Sequence, residues 1–254
     1  MTVWKVFLNS FLLLTSISLW AQEDPLWMRY PAISPDGKQI VFSYKGDLYK
    51  VSATGGTAQI LTMHEAHDYK PVWSRDGKWI AFASNRYGNF DIFVIPAEGG
   101  KPTRLTYYSS DDFPSDFTAD NSAVLFSSMR LDNAKNTLHP SPRMGELYQV
   151  PITGNREKQI LTLPAEDARY SNDGKIIVYH DKKGYEDEFR KHHTSSVTRD
   201  LWMYSTSDGK YTQLTTYKGE DRNPVFSPDG KSLYYLSEES GTFNVNALSI
   251  SNPK

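Results

Sequence analysis

A turn that recurs five times constrains this chain more than any other feature of it. Four copies read Ser34-Pro35-Asp36-Gly37-Lys38, Ser74-Arg75-Asp76-Gly77-Lys78, Ser171-Asn172-Asp173-Gly174-Lys175 and Ser227-Pro228-Asp229-Gly230-Lys231, and a degenerate fifth stands at Thr118-Ala119-Asp120-Asn121-Ser122. Asp-Gly between apolar runs signals a hairpin, because glycine accepts the positive φ that a tight primed turn demands. Around the second copy the pattern is complete. Residues 71–74, 79–84, 90–95 and 103–106 are rich in β-branched and aromatic side chains, and the loop 85–89 and the pair Gly99-Gly100 punctuate them. Four short strands joined in this way make one blade.

The rest of the unit repeats with the turn. Leu-Thr marks the fourth strand at Leu61, Leu105, Leu161 and Leu214. Third strands open at Asp47-Leu48-Tyr49, Asp91-Ile92-Phe93, Glu146-Leu147-Tyr148, Asp200-Leu201-Trp202 and, more weakly, Asn244-Val245. A period of about 40 to 45 residues with four strands per repeat predicts an all-β fold, the β-propeller. The blades fall at about residues 31–62, 68–106, 112–162, 166–215 and 221–250. Five are visible, and the fifth lacks a segment for its outer strand, so the propeller domain of residues 22–254 reads as truncated at its C-terminal side, with open blade edges that invite self-association. In the alternative, residues 23–28 pair as that missing strand and close a five-bladed ring.

Charge and composition narrow the function. A formal net charge of −2, with no basic run, argues against a nucleic-acid surface. The absence of cysteine excludes disulfides, thiolate catalysis and cysteine-based zinc sites. Residues 1–21 carry one early cation, Lys5, an apolar stretch and an Ala21-Gln22 junction, the pattern of a secretory signal peptide. A periplasmic or secreted protein is expected, with no membrane association once the signal is removed.

Two insertions, residues 129–145 and 181–199, separate the second and third strands of adjacent blades and therefore decorate one face of the disc. Asp68, Asp112 and Asp221 each come shortly before an innermost strand, on that same face. They predict an acidic rim around the channel mouth that attracts cations or peptide amino groups, or else three local turn caps. Together with His192, His193 and Arg199 they make up the candidate partner-binding face.

Other chemistry is sparse. His64-x-x-His67-Asp68 and Lys191-His192-His193 lack the i, i+4 spacing of zinc-hydrolase motifs and read as loop histidines, so no metal or other cofactor is expected. Ser207-Asp208-Gly209-Lys210 matches S-x-x-K but falls on a turn between outer strands. Ser195 and Ser196 lie near the histidine pair, yet a nucleophile needs a base oriented by a third group. No catalytic residue is assigned.

Pro25-Leu26-Trp27-Met28-Arg29-Tyr30-Pro31, the repeated Ser-Pro-Asp-Gly-Lys turns and the run from His192 to Trp202 resemble the N-terminal propeller of tricorn-type serine peptidases. The turn repeats are shared with TolB-like and dipeptidyl-peptidase-type propellers. The resemblance implies a first ring of six blades, followed in such peptidases by a second propeller and the domains that hold the catalytic serine. It implies a non-catalytic domain that gates or docks peptides for proteolysis carried out elsewhere in a longer peptidase. A stand-alone TolB-like periplasmic scaffold that binds proteins is the alternative.

Overall fold

The computed structural model describes residues 27–130, 144–185 and 195–251, and within them nineteen strands. Blade one holds β1 (Arg29–Ile33), β2 (Gln39–Tyr44), β3 (Asp47–Ser52) and β4 (Gln59–Ile60). Blade two holds β5 (Asp68–Trp73), β6 (Trp79–Ser84), β7 (Asp91–Pro96) and β8 (Thr103–Arg104). Blade three holds β9 (Asp112–Phe117), β10 (Ala123–Ser128), β11 (Glu146–Pro151) and β12 (Lys158–Leu161). Blade four holds β13 (Ala165–Tyr170), β14 (Ile176–Asp181), β15 (Leu201–Ser205) and β16 (Tyr211–Gln213). Blade five holds β17 (Asp221–Phe226), β18 (Ser232–Ser237) and β19 (Asn244–Ser249). Every sheet is an antiparallel meander, and the innermost strands β1, β5, β9, β13 and β17 contact one another in that order.

The expectation of a six-bladed ring with an unfinished fifth blade is corrected here. The propeller is five-bladed. All the described strands fall into five sheets, one for each copy of the turn, and none is left over to start a sixth. The number six came from the family resemblance, whereas the turn copies count the blades directly. Trp27 and Met28, offered to blade five as a closing strand, belong to no sheet and are exposed, and residues 23–26 lie outside the described residues.

The turn itself differs in type from the primed hairpin. In blade one the Gly37 N–H donates to the Ser34 carbonyl at 2.9 Å, and only Gly37 has positive φ, at 71°. This is a type I turn with proline at its second position and a left-handed glycine at its end. Asp36 Oδ1 accepts from the Ser34 hydroxyl at 2.6 Å and from the Lys38 N–H at 3.1 Å, while Ser34 Oγ accepts from the Gln39 N–H at 2.9 Å. The degenerate copy obeys the same rule: Thr118 and Asp120 take the hydroxyl and carboxylate roles, and Asn121 adopts the left-handed φ of 61°.

The core lies between blades. Alternation along β6 sends Ile80 and Phe82 toward Val41 and Leu48 of blade one, and Ala81 toward Phe117, Val124 and Phe126 of blade three. Leu125 and Leu147 pack on Ala165, Ile177 and Tyr179 of blade four, and Val178 and Leu201 on Leu233 of blade five. Blades two, three and four therefore bury apolar residues against both neighbours, whereas Ile33 and Ile60 of blade one and Val225, Tyr234 and Val245 of blade five are exposed.

Candidate functional site

Each innermost strand carries a bulge in its pairing with the second strand, between Arg29 and Ala32, Tyr69 and Val72, Pro114 and Asp116, Glu166 and Arg169, and Arg222 and Val225. Aligning the five strands on their turns puts Tyr30, Lys70, Pro114, Asp167 and Asn223 at one position at or beside that bulge. Four of the five have left-handed backbones, with φ of 52°, 52°, 48° and 55°, a conformation that side chains with a Cβ adopt at a cost. Proline, whose ring fixes φ, is the exception. Three of these residues meet around the axis. Lys70 Nζ of blade two lies 3.9 Å from Asp167 of blade four, and the Asn223 side-chain amide of blade five donates to Asp167 at 2.7 Å.

The mouth above this constriction has two unlike sides. On blades one to three it is aromatic. The Tyr69 ring stands 5.3 Å from Tyr30, 4.7 Å from Phe90 and 5.9 Å from Phe113, each edge-on, with His67 beside it at 5.3 Å. Lys70 Nζ lies over the Phe113 ring. Burial pushes the Tyr69 phenol well above its usual range, so its hydroxyl stays protonated.

On blades four and five the mouth is charged and tightly paired. Glu166 accepts from the Lys182 ammonium at 2.6 Å and lies 3.6 Å from His180 Nε2, while His180 Nδ1 accepts the Asn223 N–H at 3.2 Å. That acceptor role puts the imidazole proton on Nε2, facing Glu166. Burial pushes the Glu166 carboxyl up, but His180 and Lys182 outweigh it and hold it down at about 2. For Asp167 burial is again opposed, here by Lys70, His180, Arg169 and Arg199, and the net result is also about 2. Arg199 donates to Glu220 at 2.5 Å, and its Nε is buried without a hydrogen-bond partner.

The residues singled out in the sequence fall into distinct settings. Asp68, Asp112 and Asp221 begin β5, β9 and β17, and all three side chains are buried. Asp68 is paired with Arg86 at 2.6 Å and Asp112 with Arg130 at 2.7 Å. Arg199 is buried beneath the charged side of the mouth, and His192 and His193 lie outside the described residues. Ser195 Oγ accepts the Val197 N–H at 3.2 Å, and Gly209 N donates to Ser205 O at 3.0 Å in the S-x-x-K turn.

Sequence reasoning missed Lys70, Asp167 and Asn223 because they differ from blade to blade. The signal that finds them is the repeat register, two residues after the position of Asp68. It also missed Arg75, which closes the opposite end of the channel. Its guanidinium donates to Asp116 at 2.9 Å, to the Tyr170 carbonyl at 2.7 Å and to Asn172 at 3.1 Å, so one side chain ties blades two, three and four.

Residues 25–253 match the model of the Tricorn protease N-terminal beta propeller domain. The chain belongs to that family. Dipeptidyl-peptidase 5 of Porphyromonas gingivalis is 29% identical over 255 residues, a match covering 82% of this chain and 37% of that protein. Tol-Pal system protein TolB of Francisella tularensis subsp. mediasiatica is 31% identical over 101 residues, covering 37% of this chain and 20% of TolB. The chain thus spans well under half the length of these curated relatives. Among solved structures, the tricorn protease superposes with a TM-score of 0.72 at 18% identity, covering 89% of this chain and 22% of that one. The putative TolB of Agrobacterium tumefaciens gives the same TM-score and identity, covering 89% and 78%. Likeness at that identity speaks for the fold.

Proposed function

We propose that this propeller docks extended peptide segments across its channel mouth and contributes no bond-breaking chemistry of its own. The observation that carries the reading is the two-sided mouth: the Tyr30, Tyr69, Phe90 and Phe113 rings offer an apolar platform with Lys70 over the Phe113 ring, and Asp167 and Asn223 stand opposite, the three polar groups being able to bond a peptide backbone. In a longer peptidase such a mouth delivers substrate to catalytic domains, as the family match suggests. The TolB similarity favours a second reading, a scaffold that holds a protein partner at the same mouth. Either role fits an exported protein processed near Ala21. Exposed Val245 on β19 makes that edge the surface for self-association.

The test is calorimetric titration of the full chain with a short acetyl-capped peptide of tyrosine, glutamine and threonine. Tyr69→Ala is expected to weaken binding by about tenfold, the effect of removing a central aromatic anchor. Undiminished binding by that variant would overturn the site. Turnover of the peptide, lost in Ser195→Ala, would overturn the non-catalytic reading.

A further inference from the structure

The blades share a second device, visible only when the five repeats are laid over one another. In blade two the Asp68 carboxylate holds Arg86, eighteen residues on, whose Nε also donates to Ser84 Oγ at 3.1 Å. In blade three Asp112 holds Arg130 at the same interval, with Nε donating to Ser128 Oγ at 3.2 Å. Both guanidinium groups lie over stacked ring pairs, Arg86 over Phe82 and Phe93, Arg130 over Phe126 and Tyr148, with Tyr108 as a further ring on Arg130. Aspartate, serine and aromatic rings thus form an arginine slot.

Acid and arginine are absent together elsewhere. Blade one has Met28 and Gly46 at the two positions, and blade four has Ala165 and Lys183, with Lys183 paired instead to Asp200. Blade five alone keeps the acid and loses the cation. Asp221 stands where Asp68 and Asp112 stand, Ser237 matches Ser84 and Ser128, Tyr235 matches Phe82 and Phe126, and Tyr217 matches Tyr108. The eighteenth residue is Glu239, which is exposed.

Asp221 is only 1% exposed, and its Oδ1 has no hydrogen-bond partner. Asp112 Oδ1 shares that condition, but the other oxygen of Asp112 carries Arg130. Burial pushes the Asp221 carboxyl up, and the charges of Asp200 and Glu239 add to that push against the hydroxyls of Ser237 and Thr215. The place is short of one positive charge. A cavity of about 560 Å³ opens to solvent at Tyr217 and Asp200, with Thr198, Ser195, Ser196, Lys183 and Lys218 in the rest of its lining; Asp221 itself is not part of that lining. Its one paired cation, Lys183, is held by Asp200 and the Thr198 carbonyl.

We infer that the blade-five rim is an unfilled slot for the guanidinium of an arginine in a docked peptide, which enters beside Tyr217 to lie between Tyr217 and Tyr235 and bond to the buried Asp221. This rests on the docking reading and gives it a residue preference. A planar fork with aromatic stacking suits arginine, whereas a lysine ammonium would forgo both the fork and the stack.

The experiment titrates the full chain with acetyl-Gly-Gly-Arg-Gly-Gly-amide and with the same peptide carrying norleucine for arginine, read by calorimetry and by the ring resonances of Tyr217 and Tyr235. The arginine peptide is expected to bind at least about tenfold more tightly, the scale of a charge-assisted bidentate contact. Asp221→Asn should erase that preference. Glu239→Arg should erase it too, by filling the slot from within, and should raise the melting temperature, which separates occupancy from misfolding. Equal binding of the two peptides, or a preference that survives both variants, overturns the inference. Failure of the docking reading looks different: the arginine-free mouth peptide fails to bind while the arginine preference remains tied to Asp221.

Discussion

Replacing Arg75 by alanine tests whether the lower end of the channel is tied by one side chain. The guanidinium makes three strong contacts, to the Asp116 carboxylate, the Tyr170 carbonyl and the Asn172 side chain, at 2.9, 2.7 and 3.1 Å. Hydrogen bonds to a charged group contribute about 1.5–3 kcal/mol each where buried, and removing one partner of a buried ion pair costs about 3–5 kcal/mol. Two features reduce that figure. The Arg75 side chain is 23% exposed, so water recovers part of the loss. Asp116 also keeps the Tyr170 and Phe117 N–H groups, each at 2.8 Å. The expected loss is therefore about 3 kcal/mol, which for a chain of this size corresponds to a fall in melting temperature of about 6–12 °C. Urea unfolding of Arg75→Ala, Asp116→Asn and the double variant measures the shared part, expected at about 1–2 kcal/mol of coupling. A loss below about 1 kcal/mol for Arg75→Ala, or additive single effects, would refute the hub.

Three further outcomes follow from the same structure. Phe82, fully buried and stacked on Phe93, should cost about 3–5 kcal/mol when cut to alanine, measured by urea unfolding. Gly37 and Gly174 have nearly equal left-handed φ, 71° and 72°, but only at Gly174 would a Cβ meet another, that of Ala119 at 3.2 Å. Gly37→Ala should then cost about 1 kcal/mol and Gly174→Ala clearly more, and equal losses in calorimetry would contradict the contact. Acid and base limits should differ in origin. Asp91, driven up by burial to about 6 despite Arg104, contributes stability that is complete below pH 3.8 and lost as pH rises through about 6. Glu166 and Asp167, held at about 2, contribute stability present above 4.5 and 3.8 and lost as pH falls toward 2. Urea midpoints across pH should peak between about 4 and 6, and Asp91→Asn should flatten the alkaline limb.

The fold was legible because its signals are local and repeated. Ser34, Asp36 and Gly37 satisfy one another within four residues, so the turn is written in the residues that form it. The blade count was also in the chain, in five turns, and was displaced only by a number taken from relatives. The site was less legible. Asp68 and Asp112 were found as acids, but what neutralises them comes from the far end of the neighbouring strand, and their reading as a rim took no account of it. Lys70 and Asp167 belong to blades two and four, and no sequence distance announces that they meet across the axis. The aromatic side shows the same limit: Tyr30, Tyr69 and Phe113 are unremarkable strand residues until three blades bring their rings together.

The bulge in each innermost strand has a consequence for how such a chain can change. In four blades it lifts a residue out of the alternation that fills the inter-blade core, and on nearly one left-handed backbone those four places carry a phenol, an ammonium, a carboxylate and an amide, while blade three has the ring of Pro114 at that register. Identity there is decoupled from the packing of Ile80, Phe126 or Leu233. A lineage of such propellers can rewrite the side chains around its axis, letter by letter, while the frame that presents them stays the same.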